Sequence, residues 1–348
     1  MLSRPHPEFV ETLTLTNANG IELRCIPLGG IITSLKIPDR RGVLADVVLG
    51  YDELDEYVVD TRFVGALIGR YANRIENARF SIDGREYEVS RNEGPNHLHG
   101  GYNGFHKAMW TAESIQVPEG PAIRFRHTSP DGDEGFPGTL VVTVTYVLTA
   151  DNALIVHYEA TTDRATPVNL TQHAYVNLAG HDRADILAHE LTLHASHFLA
   201  VDERLIPSGE PRSVQGTPFD FTTPHPIGSR IHADDEQLAL GHGYDHNFVI
   251  DRGTAGRDDV VLAAQLLEPV SGRTMELYTT EPGVQLYTGN GFDEHFIGKD
   301  WHVYLEHAGL ALEPQHFPNS PNRPDFPSTI LRPGDTYRSR SVYRFGAI

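Results

Sequence analysis

At 348 residues with 39% apolar residues, among them 15 Phe and 14 Tyr, the chain is long enough to bury a large core and is neither disordered nor fibrous in composition. A formal net charge of −19, from 47 acidic against 28 basic residues, repels phosphate backbones and anionic lipid, so no nucleic-acid and no membrane partner is expected. The lone Cys25 excludes an internal disulfide and a cysteine zinc cage, and points to a reducing compartment.

The opening stretch, Met1 to Glu8, has no apolar signal region, and nowhere do about 18 apolar residues follow one another, so a cytoplasmic location is expected. Period-2 alternation predicts strands over Val10 to Thr16 and Ile21 to Ile26. Asp46 to Gly50 reads as a strand and Asp52 to Tyr57 as one helical turn. Strands follow over Glu86 to Ser90, Ala122 to His127, Thr139 to Leu148, Leu154 to Tyr158 and Leu191 to Phe198. Asn247 to Asp251, Met275 to Thr279, Val284 to Gly289 and Ala308 to Glu313 continue the series, while Val260 to Leu267 suits helix or strand equally. In the last strand Tyr337, Ser339, Ser341, Tyr343 and Phe345 share one face, predicted to be the core side.

Long helical periodicity is absent, and 32 Gly and 23 Pro punctuate these short strands. The expected fold is therefore all-β, a large antiparallel β-sandwich. Pro314 to Pro333 has the composition of a linker, yet it lies between two strands and is read as a stiff loop within one domain spanning residues 1–348.

No Gly-x-Ser-x-Gly elbow, phosphate-binding P-loop or Rossmann glycine fingerprint is present, which removes the usual support for serine hydrolysis, nucleotide hydrolysis and hydride transfer. Asp131-Gly132-Asp133 begins like a calcium loop, but Phe136 stands where that loop needs glycine, so a surface turn is expected. His97-Leu98-His99, if extended, would point two imidazoles to one face, although no glutamate follows at a metal-site spacing. Metal catalysis is not expected.

What remains is a set of polar segments at strand ends and loops. They are Gly69-Arg70-Tyr71-Ala72-Asn73-Arg74-Ile75, Leu98-His99-Gly100-Gly101, Asn169-Leu170-Thr171-Gln172-His173-Ala174-Tyr175, Gly243-Tyr244-Asp245-His246-Asn247-Phe248 and Leu312-Glu313-Pro314-Gln315. Taken singly, each is as well explained by hydrogen-bonded turns. Taken in this order, and with Gly283-Val284-Gln285-Leu286-Tyr287-Thr288-Gly289-Asn290 and Ser129 to Gly138, the set resembles the aldose 1-epimerases, or galactose mutarotases, over nearly the whole chain. Gln172 and Ala174 stand where Asn and Ser are common in that family.

The resemblance implies a mutarotase supersandwich that interconverts the anomers of a free aldose such as glucose or galactose, with no cofactor and no metal. It implies His173 as general acid and Glu313 as general base, with Arg74, His99 and Asp245 on the sugar hydroxyls and Asn73 and Gln285 as further lining. Phe292 and Tyr175 are candidates to pack on the sugar's apolar face. A monosaccharide is the only partner implied, and monomer and homodimer stay equally open. Three rival readings stand beside this one: a hexose-6-phosphate 1-epimerase, a glycoside hydrolase using Asp245 and Glu313, and a non-catalytic carbohydrate-binding β-sandwich.

Overall fold

The computed structural model describes residues 10–348, so the segment read above for targeting signals, residues 1–9, lies outside the described residues. The chain is built almost wholly of antiparallel strands. Nine of them form one sheet in the order Thr111–Val117, Gly120–Ser129, Leu140–Leu148, Ala153–Thr162, Tyr337–Ala347, Arg273–Thr279, Val261–Leu267, Glu190–Leu193 and His225–Pro226. A five-stranded sheet runs Arg212–Ser213, His197–Phe198, Asp245–Val249, Gly283–Tyr287, Ala311–Gln315. A four-stranded sheet is made by the first strands, Leu13–Thr16 through Leu44–Asp46.

Alternation explains how these sheets pack. In Leu140–Leu148 the residues Leu140, Val142, Val144 and Tyr146 are buried while Val141, Thr143 and Thr145 turn outward, which is the period of a strand with one wet face. The last strand behaves as predicted: Tyr337, Ser339, Ser341, Tyr343 and Phe345 are all buried. One apolar cluster joins the three sheets, with Leu23 and Leu35 from the four-stranded, Val144 and Leu277 from the nine-stranded, and Phe248 and Leu312 from the five-stranded sheet. Such a continuous core fixes the sheets against one another.

Several predicted elements differ in detail. Leu191 to Phe198 is not one strand: Glu190–Leu193 pairs into the large sheet and His197–Phe198 into the five-stranded one. The apolar pattern continues across the corner because both halves are buried, so periodicity cannot see the break. Asp46 closes the strand Leu44–Asp46, and beyond it the buried residues 47–50 keep only the isolated bridge Val48 to Val176. The ambiguous segment near 260–267 is a strand, and the helical turn near 52–57 is the short helix Leu54–Val59. No helix among the described residues is long and apolar enough to cross a membrane.

Burial also takes in histidines. His97, His173, His189 and His246 are pushed down to about 4 and His106 to about 3, in each case chiefly because burial disfavours the charged ring. In the folded chain they stay neutral, whereas an unfolded chain takes up these protons below the ordinary histidine value of 6.5. Between pH 6.5 and about 4 the unfolded chain thus binds more protons, and stability falls as pH falls. Each ring contributes up to about 1.4 kcal/mol per pH unit inside that window. Melting temperatures measured from pH 7.5 downward should hold until about pH 6.5 and then drop steeply; a flat profile to pH 4.5 would contradict this reading.

Candidate active site

Three strands of the five-stranded sheet present one face of their side chains to a cleft. Asp245 pairs across with Tyr287, and Gln285 pairs with Glu313, so these four project from the same side. The opposite wall comes from loops. Gly69 to Ile75 and Asn169 to Tyr175 run side by side, joined by Ala72 N to Asn169 O at 2.8 Å and Asn169 N to Arg70 O at 3.1 Å. Arg70 is buried and holds this corner by donating to the carbonyl oxygens of Ser129, Pro137 and Gly138 at 3.1, 3.1 and 2.8 Å. The two sequence segments Gly69 to Ile75 and Ser129 to Gly138 are thereby locked together.

The cleft measures about 220 Å³ and is lined by Asn73, Arg74, His99, His173, Asp245 and Glu313, together with aromatic rings. That is below the ~300–1,000 Å³ of pockets for drug-sized ligands, as suits a monosaccharide. His173 and Glu313, 140 positions apart in sequence, come within 3.6 Å at Nε2 and Oε1. Glu313 is buried, and burial, then the nearby Asp245 charge, raises its carboxyl well above the usual carboxylate range. Burial lowers His173 to about 4. Burial thus disfavours the charged form of both groups, pushing the carboxyl up and the imidazole down.

Arg74 is buried and gripped by Glu93, with Nε and Nη2 donating at 2.8 and 2.7 Å, while its Nη1 lies 3.7 Å from Asp245. Gln285 does not reach the cleft surface; it stands behind Asp245 and donates from Nε2 to Oδ1 at 2.6 Å. Phe63 packs edge-on against His99 at 4.7 Å, Tyr175 against His173 at 4.9 Å and Phe292 against Tyr175 at 4.8 Å, an aromatic wall on one side of the cleft. Phe292 and Tyr175 both line the cleft. Gln172 and Ala174, the two departures from the family pattern, bond to each other, with Ala174 N donating to Gln172 Oε1 at 2.6 Å.

His97 and His99 do not share a face. His99 takes a left-handed φ of 51°, which turns it into the cleft, while His97 packs on Phe136 and bonds Ser90 O at 2.8 Å. Phe63 and Asn73 are left-handed as well, with φ of 60° and 64°. Backbone held in this region costs about 1–2 kcal/mol per residue and concentrates at functional sites. His99, His173 and Glu313 each bring a potential metal-ligand atom within 4.8 Å of the others. However, His99 Nδ1 accepts the Asn73 N–H at 3.1 Å, which leaves the ring proton on Nε2. One nitrogen is occupied and the other is a donor, so the set fits a hydroxyl ligand better than a cation.

Gly100, next to His99, has φ +84° and faces the Gly69 carbonyl so closely that a Cβ would overlap its oxygen. Gly100→Ala should therefore lower stability by at least about 1–2 kcal/mol and displace His99, weakening substrate binding. Urea denaturation together with KM measurement checks both; an unchanged KM would show that His99 is not held from this side.

Glu93, Phe63, Arg62 and Tyr287 were not singled out from the sequence. Tyr287 lies inside a quoted segment, but nothing in the local pattern marks Glu93, which meets Arg74 only through the fold.

An all-β scaffold that brings one buried carboxyl group and one buried imidazole to a small cleft lined by Arg, Asn, His and Asp side chains has the makings of an acid–base enzyme for a small polar ligand. The family model for aldose 1-epimerases matches residues 11–344. Galactose mutarotase from Homo sapiens is 45% identical over 92% of this chain and 90% of its own length. Aldose 1-epimerase from Escherichia coli K12 is 39% identical over 98% of this chain and 96% of its own. The crystal structure of an aldose epimerase homologue from C. elegans superposes with a TM-score of 0.88 at 32% identity, covering 97% of this chain and 99% of that one. The chain belongs to the aldose 1-epimerase family, and it is an isomerase with mutarotase function.

Proposed function

We propose that the chain interconverts the α and β anomers of free aldoses such as glucose and galactose, with Glu313 and His173 as its acid–base pair. The supporting observation is the 3.6 Å separation of His173 Nε2 and Glu313 Oε1. The two oxygens that must exchange protons, the C1 hydroxyl and the ring oxygen, are bonded to the same carbon, so two groups this close can each reach one.

In the active form Glu313 is ionised and His173 protonated, reached by moving the pair's one proton across. Glu313 then takes the proton of the C1 hydroxyl while His173 gives its proton to the ring oxygen, and the C1–O5 bond opens to an aldehyde. The pair is left as carboxylic acid and neutral imidazole, the form favoured by burial. After rotation about C1–C2 the ring closes on the other carbonyl face and both proton transfers run backward. The proton count is conserved through the cycle, which is why two oppositely shifted groups suit it. Arg74, His99 and Asp245 fix the sugar by its hydroxyls, with Asn73 and Gln285 holding His99 and Asp245 in place.

The phosphorylated-sugar reading finds little support. The two arginines of the cleft are both engaged, Arg74 with Glu93 and Arg62 with Asp293 at 3.4 Å, so neither is free for a phosphate. Polarimetry from pure α-glucose, α-galactose and other aldoses tests the proposal and ranks substrates. Faster approach to anomeric equilibrium, with no aglycone released from an aryl glycoside, is expected; aglycone release would favour the hydrolase reading instead.

A further inference from the structure

A second and larger cleft lies on the outward face of the nine-stranded sheet. It encloses about 1050 Å³ and shares no lining residue with the catalytic cleft. Its floor contains a cross-strand row. Arg124 pairs with Thr145, Thr145 with His157, and His157 with Arg340, so their side chains emerge on one face of four adjacent strands. At the usual strand spacing this row is roughly 14 Å long. Glu113 stands opposite Arg124 at one end of the row and pairs with it at 3.4 Å, while the His157 and Arg340 end has no carboxylate directly opposite.

Arg340 is unusual in this chain. Among the described residues, every other buried or half-buried arginine gives its guanidinium to a carboxylate or a backbone carbonyl. Arg340 forms no side-chain hydrogen bond and no ion pair, and its Nε is cut off from solvent without an acceptor. A desolvated donor with nothing to bond is unfavourable.

The electrostatics point the same way. His157 faces Arg340 directly, and burial and then that positive charge lower its pKa. Like charges placed opposite one another destabilise a sheet. An anion between the two would reverse this and give the guanidinium its missing acceptor. The acidic lining is partly neutralised already, with Glu159 3.5 Å from Arg338. Asp258 and Asp335 also line the cleft, against Arg124, Arg257, Arg338 and Arg340. Arg124 is already taken by Glu113 and Arg338 by Glu159, which leaves Arg340 as the half-buried guanidinium of the cleft without an ion-pair partner. Its two tyrosines, Tyr158 and Tyr337, are buried, so it offers no exposed aromatic ring of the kind a neutral glycan stacks on.

We propose that this cleft is a second ligand site, taking a small phosphomonoester dianion on Arg340 and His157. A guanidinium fork beside an imidazole, with the Thr145 hydroxyl in the same row, matches several phosphate oxygens at once.

The test is calorimetric titration with inorganic phosphate and, separately, glucose 6-phosphate, at matched ionic strength, of the wild-type chain, Arg340→Gln and Arg74→Gln. Saturable wild-type binding that weakens at least about tenfold in Arg340→Gln, with mutarotation unchanged and binding kept in Arg74→Gln, is the expected result. Equal affinity for the two probes assigns recognition to the phosphate alone, and tighter sugar-phosphate binding extends it to the organic part. If Arg340→Gln also lost mutarotation, His157→Gln on the same face would make the comparison. Absence of saturable binding, or binding kept in Arg340→Gln and lost in Arg74→Gln, overturns the site while leaving the mutarotase reading untouched.

Discussion

Replacing Glu313 with Gln lowers kcat for anomer exchange by about 10²- to 10⁴-fold, the scale set by removing one positioned acid–base group. The substitution keeps the side chain's volume, so KM stays close to its wild-type value. Two features make the loss large. Glu313 is buried with one carboxyl oxygen lacking any hydrogen-bond partner, and no second carboxylate can replace it, because Asp245 is tied to Gln285 and Arg74. His173 also loses the group with which it exchanges the single proton. Stopped-flow polarimetry on α-glucose measures the effect, and retention of full turnover would remove Glu313 from the mechanism.

The second large effect belongs to Arg74. Its guanidinium is the counter-charge between Glu93 and Asp245, and Arg74→Leu leaves both carboxylates without it. Breaking a buried ion pair by removing one partner costs about 3–5 kcal/mol; Glu93 is a third exposed at its side chain, so the loss should fall near the lower end. Losing charged hydrogen bonds to a sugar hydroxyl should lower kcat/KM by about ten- to a hundredfold, mostly through KM. A pH signature accompanies this. Arg74 lowers the proton affinity of Glu313, so without it the one-proton form of the pair persists to higher pH. The alkaline limb of the kcat/KM profile should move upward, and an unmoved limb would mean that Arg74 acts on binding alone.

How much of this was written legibly in the sequence follows from the kind of signal each part leaves. Strands with one wet face announce themselves, as in Tyr337–Ala347, whose inward and outward residues alternate without error from Tyr337 to Ser341. Buried corners do not, which is why Leu191 to Phe198 reads as one strand and is two. The candidate site residues stood out only as an ordered set of segments, and the fold brings Asn73, Arg74, His99, His173, Asp245 and Glu313 to one cleft. Gln285 was placed on the cleft by association and is instead one layer behind. Glu93 and Phe63 left no trace, because a salt-bridge partner and an aromatic wall are defined by three-dimensional neighbours, not by local pattern. The left-handed turn at His99 was equally invisible, and it separates two histidines that an extended strand would have aligned.

The most direct test of ring opening by the His173 and Glu313 pair follows the anomeric oxygen. Glucose carrying ¹⁸O on its C1 hydroxyl, equilibrated by the enzyme in ordinary water and followed by ¹³C NMR, reports which C–O bond breaks. Opening of C1–O5 keeps the label on C1 through every inversion, so anomers should interconvert with the label retained beyond the slow exchange seen without enzyme. Loss of one label per inversion would mean that the C1 hydroxyl leaves and water replaces it, and the mechanism built on this pair would be wrong.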